Sequence, residues 1–189
     1  NGAAELLYAI CRLPGYTGAF VPAPGFSEYK AALEASRIPV RDIYYRPRED
    51  EHGKPYFEVP YLALETFAAE LKGQDGRIIV FLGNPNNPDG TLLDKNHIRT
   101  IASMLKDANS LLVIDESFID FVGNDTLQDN EYSMRSLVNE FDNIIVVHSF
   151  TKFYAVPGLR IGAAFSNPLI IEQLNSFIPT WSVNTLAQS

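Results

Sequence analysis

The sequence predicts an α/β fold, a three-layer αβα arrangement around a mostly parallel sheet. Two observations carry this expectation. The runs 78–82 (Ile-Ile-Val-Phe-Leu), 111–114 (Leu-Leu-Val-Ile) and 144–147 (Ile-Ile-Val-Val) are apolar throughout, as strands covered on both faces are. Along the chain, strand-like runs alternate with stretches whose apolar residues recur at helical spacing, and that alternation builds βαβ units.

The elements follow in order. Leu6, Ala9, Ile10 and Leu13 share one helix face, and Pro14-Gly15 ends it. Gly18–Val21 is a short apolar strand bounded by Pro22. Ser27 is expected to cap a helix running to about Ser36. Pro39–Tyr45 alternates as a strand does, and 46–58 reads as polar loop. Pro60 suits the first position of a helix whose face is Leu64, Phe67, Ala68 and Leu71. After the 78–82 strand, Asp94 is placed to cap a helix carrying Ile98, Ile101, Ala102 and Leu105. Past the strands at 111–114 and 144–147, Ile161–Phe165 reads as a further strand and 168–177 as a helix. No internal repeat, low-complexity stretch or long linker interrupts the chain, so residues 1–189 are expected to form one domain.

Composition narrows the function classes. A formal net charge of -8 without a basic patch argues against a nucleic-acid partner. The single cysteine, Cys11, excludes an internal disulfide and a Cys-rich zinc site; its apolar neighbours suggest a buried small hydrophobe. His52, His97 and His148 lack metal-like spacing, so no metal is expected; the first two are expected on the surface, and His148 is expected to flank an anion site after the 144–147 strand. No apolar run approaches the roughly 20 residues of a membrane span, and no basic-then-apolar leader opens the sequence. A cytoplasmic protein without a membrane partner is expected.

In open parallel sheets, ligands bind where strands end at their carboxyl side. The 78–82 strand leads into Gly83-Asn84-Pro85-Asn86-Asn87-Pro88-Asp89-Gly90, which by itself reads equally well as a plain turn. The 111–114 strand ends in Asp115-Glu116-Ser117, and a carboxylate there must be paired or solvated in a cleft, because burying it alone is costly. The third strand leads into His148-Ser149-Phe150-Thr151-Lys152 and then Gly158-Leu159-Arg160-Ile161-Gly162. Two hydroxyls and two cations close together suit an anion: Arg presents a planar fork of donors to phosphate, and hydroxyls add short hydrogen bonds. A lysine held among cations and partly buried is also readied for imine chemistry.

Taken together, Asn87-Pro88-Asp89-Gly90, Asp115-Glu116-Ser117-Phe118 and Ser149-Phe150-Thr151-Lys152, with Arg160 eight residues later, resemble the ordered motifs of fold-type I pyridoxal 5′-phosphate (PLP) enzymes, the aminotransferase class I/II group. The resemblance implies PLP as cofactor, Lys152 as the Schiff-base lysine and proton carrier, and Asp115 as the partner that keeps the pyridine nitrogen protonated. It implies Asn87 on the ring oxygen O3′, and Ser149, Thr151 and Arg160 on the cofactor phosphate. The segment Asn1–Glu5 resembles the loop and helix start that cradle that phosphate, with Ala3 and Ala4 supplying backbone N–H groups. Phe26, in Pro24-Gly25-Phe26, falls where the family stacks an aromatic on the ring. Phe118 departs from the pattern: many relatives carry Tyr there, so O3′ would rest on Asn87 alone.

Within the class, Lys152–Arg160 and Pro179-Thr180-Trp181-Ser182-Val183-Asn184 resemble threonine-phosphate decarboxylases of cobalamin biosynthesis most, with histidinol-phosphate aminotransferases close behind. The implied substrate is a small phosphorylated amino compound, and the implied assembly of the full-length parent is a homodimer. Such relatives carry a strand before the position of Asn1 and a small domain after that of Ser189, so a large domain truncated at both ends is expected. A truncated PLP-binding module without turnover stays open. A doubly wound nucleotide-binding domain would need GxGxxG or GxxxxGK[ST], and neither occurs.

Overall fold

A computed structural model describes residues 1–72, 75–123 and 130–188. The helices are α1 (Ala3–Ile10), α2 (Ser27–Ala35), α3 (Tyr61–Glu70), α4 (Lys95–Asp107), α5 (Pro168–Phe177) and α6 (Thr185–Gln188). The strands are β1 (Tyr16–Ala23), β2 (Val40–Tyr44), β3 (Arg46–Glu49), β4 (Pro55–Glu58), β5 (Arg77–Gly83), β6 (Leu111–Asp115), β7 (Ile144–Ser149) and β8 (Gly162–Phe165). A six-stranded sheet has the order β2-β1-β5-β6-β7-β8. Its pairings are parallel except β7 with β8, which is antiparallel.

The apolar runs explain the three layers. Successive side chains of a strand point to opposite faces, so Ile78, Val80, Leu82, Leu112, Ile114, Ile144 and Val146 meet Leu64 and Ala68 of α3 and Ile98, Ile101 and Leu105 of α4. Ile79, Phe81, Leu111, Val113, Ile145 and Val147 face the other way, onto Leu7 and Ile10 of α1, Leu33 of α2 and Leu174 of α5. Strands with only one apolar face could fill just one of these cores.

Several expectations are corrected in detail. Ser27 is the first helical residue of α2, not its cap; Phe26 holds the cap position and no side chain closes it. Pro60 is likewise the residue before α3. The stretch 46–58, expected as loop, contains the antiparallel hairpin of β3 and β4. Its strand pattern was hidden because β3 is exposed along its whole length, so no alternation of apolar residues marks it. The Asp94 cap is present: its Oδ1 accepts from the backbone N–H of Asn96 at 2.9 Å and of His97 at 3.0 Å. Cys11 is buried.

The strand order reverses between β1 and β5, since β2 lies outside β1 while β6 and β7 lie beyond β5. Open α/β sheets leave a crevice at such a point, at the carboxyl ends of the strands. The register aligns those ends: Gly83 pairs with Asp115, and Asp115 with Val147. Asp94→Ala should remove the α4 cap and lower stability by about 1 kcal/mol, read as a lower urea midpoint at unchanged slope.

Candidate active site

A cleft at these strand ends is lined by Ala3, Ala4 and Leu7 of α1, by Phe26 and Tyr29, and by Pro85 and Asn87 beyond β5. Asp115, Ser117 and Phe118 line it from the end of β6, and Ser149, Thr151, Lys152 and Arg160 from the end of β7. Every residue singled out from the sequence, namely Ala3, Ala4, Phe26, Asn87, Asp115, Ser149, Thr151, Lys152 and Arg160, therefore faces one space. Leu7, Tyr29, Pro85 and Ser117 were not singled out.

Asp115 closes β6 and is buried. Neutral donors hold its charge: Tyr29 Oη donates to Oδ2 at 3.0 Å, while Ser117 donates to Oδ1 through its backbone N–H at 2.9 Å and its hydroxyl at 2.5 Å. Tyr29 is 2 % exposed, stacks on Phe81 and meets Phe26 edge-on. Burial pushes the Tyr29 phenol well above its ordinary pKa, and the neighbouring Asp115 carboxylate adds to that; it therefore stays a donor. In sequence Tyr29 is one more residue on the apolar face of α2, and only the tertiary structure reveals its hydrogen bond.

Glu116, one residue on, points to the opposite face and is fully buried. It accepts from Met134 N–H at 2.5 Å, Ser133 Oγ at 2.7 Å and Asn84 Nδ2 at 3.2 Å, and Arg135 Nε lies 4.0 Å away. Burial raises its pKa, and these donors offset part of the rise. Glu116 thus ties the turn after β5 to the segment at 133–135, behind the cleft.

The β7–β8 connection carries both cations. Ser149 pairs with Gly162 across the antiparallel ladder, which folds residues 150–161 back over the end of the sheet. Ser149 Oγ and Thr151 Oγ1 are 2.9 Å apart, and Lys152 Nζ reaches Thr151 Oγ1 at 3.5 Å. Arg160 has φ 48° and ψ 55°, a left-handed conformation uncommon for a residue with a side chain. Asn184 Nδ2 donates to Leu159 O at 2.6 Å, so the 179–184 segment braces this connection.

Two glycines seat the start of α1 on the same spot. Gly2 has φ 80°, and a Cβ there would lie 3.2 Å from Arg160 Nη2. A Cβ on Gly162 would lie 2.6 Å from Ala3 N and 2.8 Å from His148 O. Only glycine fits both places. No side chain caps α1, leaving its first N–H groups and the positive end of its dipole for an anion.

This donor set fits a phosphorylated pyridine aldehyde. Helix N–H groups, two hydroxyls and a guanidinium suit a phosphate; a buried carboxylate with neutral partners suits a cationic ring nitrogen; Phe26 and Leu7 supply apolar wall, and a primary amine stands at the rim.

The aminotransferase class I and II family model matches residues 1–189. The chain belongs to that family. Its members are PLP-dependent enzymes. A threonine-phosphate decarboxylase of Salmonella typhimurium is 31% identical over 193 residues, covering 99% of this chain and 47% of its own. A histidinol-phosphate aminotransferase of Thermoanaerobacter pseudethanolicus is also 31% identical over 193 residues, covering 100% of this chain and 48% of its own. The crystal structure of a histidinol-phosphate aminotransferase from Clostridium acetobutylicum superposes with a TM-score of 0.79 at 23% identity, over 99% of this chain and 50% of that one. The chain thus spans about half the length of these relatives.

Tyr29→Phe should lower stability by about 2 kcal/mol, the scale of a hydrogen bond to a charged acceptor, measured by urea unfolding. For Glu116 the folded-state pKa is raised, so its contribution is complete below the ordinary glutamate range and declines as pH rises through the folded-state value. Glu116→Gln should abolish that declining segment in a series of unfolding curves across pH.

Proposed function

We propose that this chain is the cofactor-binding part, one domain over residues 1–189, of a PLP enzyme acting on a small phosphorylated amino compound, of the threonine-phosphate decarboxylase type. One observation carries the reading: Lys152, Asp115, Asn87, Ser149, Thr151, Arg160 and the start of α1 share a single cleft. PLP, when bound, supplies an electron sink that weakens one bond at the substrate Cα.

Each residue then has a task set by its chemistry. Arg160, the hydroxyls of Ser149 and Thr151 and the N–H groups of Ala3 and Ala4 bind the cofactor phosphate. Asp115, held by Tyr29 and Ser117, keeps a proton on the ring nitrogen. Asn87 donates to the ring oxygen, unaided by Phe118, which has no hydroxyl. Phe26 covers a ring face. Lys152 Nζ would hold the cofactor covalently and move a proton at the reacting carbon, with Thr151 Oγ1 3.5 Å away to steer it.

Which bond at Cα the cofactor would weaken depends on how the protein orients the substrate: presenting the carboxylate would favour loss of carbon dioxide, and presenting the proton would favour amino transfer. The Lys152–Arg160 and Pro179–Asn184 segments favour the decarboxylase type. The equal 31% identity of the aminotransferase relative keeps a histidinol-phosphate-type reaction as the second reading. The chain spans about half the length of the relatives it matches; a homodimer is the assembly proposed for the whole protein, and a PLP-binding module without turnover is the third reading. No helix among the described residues is long and apolar enough to cross a membrane, and the acidic composition suits a cytoplasmic setting without a nucleic-acid partner.

Adding PLP should produce a yellow protein, and borohydride should fix the cofactor on Lys152, read by peptide mass mapping. Lys152→Ala should stay colourless. A colourless wild-type protein would sink the proposal. In a longer parent chain, release of carbon dioxide from threonine phosphate supports the first reading; transfer from histidinol phosphate to 2-oxoglutarate supports the second.

A further inference from the structure

His148 has no task in the preceding account, yet it is fully buried at the end of β7, immediately before Ser149. Its Nε2 lies 3.1 Å from Asp120 Oδ2, and the Asp120 side chain is only 9% exposed. The approach is close but off the line of a good hydrogen bond, and Nδ1 has no hydrogen-bond partner among the described residues. Asp120 belongs to the single turn Ile119–Phe121 that follows Phe118. Phe118 lines the cleft.

The two strand ends meet again above this pair. Phe150 packs its ring edge-on to His148 at 4.8 Å, and Phe121 meets Phe153, the neighbour of Lys152, at 5.3 Å. The 118–121 turn is therefore joined to the β7 end and the lysine-bearing connection by the buried His148–Asp120 contact and by the more exposed Phe121–Phe153 contact. We propose that His148 and Asp120 are positioning residues: the buried pair clamps the 118–121 turn to the 149–153 segment, fixing Phe118 and Lys152 relative to each other across the cleft.

Burial lowers the His148 pKa, Asp120 raises it, Arg135 lowers it and Asp115 raises it, with a net lowering. Burial thus outweighs Asp120, and the imidazole stands beside the Asp120 carboxylate at 3.1 Å without a well-aligned hydrogen bond to it. Two polar side chains buried against each other make a contact whose loss on one side is costly, because the other side is left without compensation.

The clamp is tested on the cofactor-free protein by hydrogen exchange of peptides covering 117–122 and 149–154. Asp120→Asn keeps the shape and removes the charge. Both peptides should exchange about tenfold faster or more, the scale of losing one contact to a charged group. His148→Gln is the second variant, for the case in which Asp120→Asn does not fold, and the double variant should be no faster than the faster single one. Asp142→Asn, at the surface pair with Lys106, should change neither peptide. Acceleration confined to 117–122, or absent from both, overturns the clamp. The second readout rests on the functional proposal: PLP affinity, followed by absorbance, should fall about tenfold in Asp120→Asn and stay unchanged in Asp94→Ala, which removes a helix cap outside the cleft lining. Unchanged affinity in Asp120→Asn overturns the positioning role. Wild-type protein that takes up no PLP would defeat the functional proposal, and the exchange experiment would still decide the clamp.

Discussion

The parallel register of β5, β6 and β7 is the constraint on which the site depends. Gly83, Asp115 and Val147 stand side by side, and the ladder continues past the strands through Asn84 N–H to Asp115 O at 2.8 Å and Glu116 N–H to Val147 O at 2.7 Å. The first polar residues past the apolar runs, Asn84, Asp115 and His148, therefore lie within one residue of the same height. A slip of one residue would exchange the faces of every side chain on a strand. Asp115 would then turn toward α4, and Glu116 toward Tyr29. The two apolar cores forbid this, since Ile114 belongs to one and Val113 to the other. Packing free energy spread over many aliphatic side chains thus fixes the direction of one carboxylate.

The adjacent acids illustrate how environment divides labour between like groups. Asp115 lines the cleft with its charge held by a phenol, a hydroxyl and an amide N–H. Glu116 spends the same chemistry on internal cohesion, bridging the 84 turn and the 133–135 segment. Burial favours the protonated form of a carboxyl group, and donors favour the ionised one; at Glu116 burial dominates.

Much of this was legible in the residues. Continuous apolar runs identified the central strands because few other structures bury both faces of a short segment. The polar residues at their ends were legible because their types are costly to bury without partners. The β3–β4 hairpin was not, since neither strand alternates buried and exposed residues. Nor was Tyr29, whose partner is far away in sequence and whose spacing is that of any core residue. The His148–Asp120 contact was invisible for the same reason: each residue sits in a segment read for its neighbours. Gly2 and Gly162 lie within the Asn1–Glu5 and Gly158–Gly162 segments, but the close approach that requires them exists only once α1 and β8 meet.

Reversal of the last sheet strand has a further consequence. Because β8 runs back along β7, the amine and the guanidinium are borne by one short connection rather than by separate βα loops. The usual arrangement lets loops diverge independently while the scaffold stays constant. Here an insertion or deletion between Lys152 and Arg160 would disturb covalent chemistry and anion grip together. This stretch should therefore tolerate little change in length.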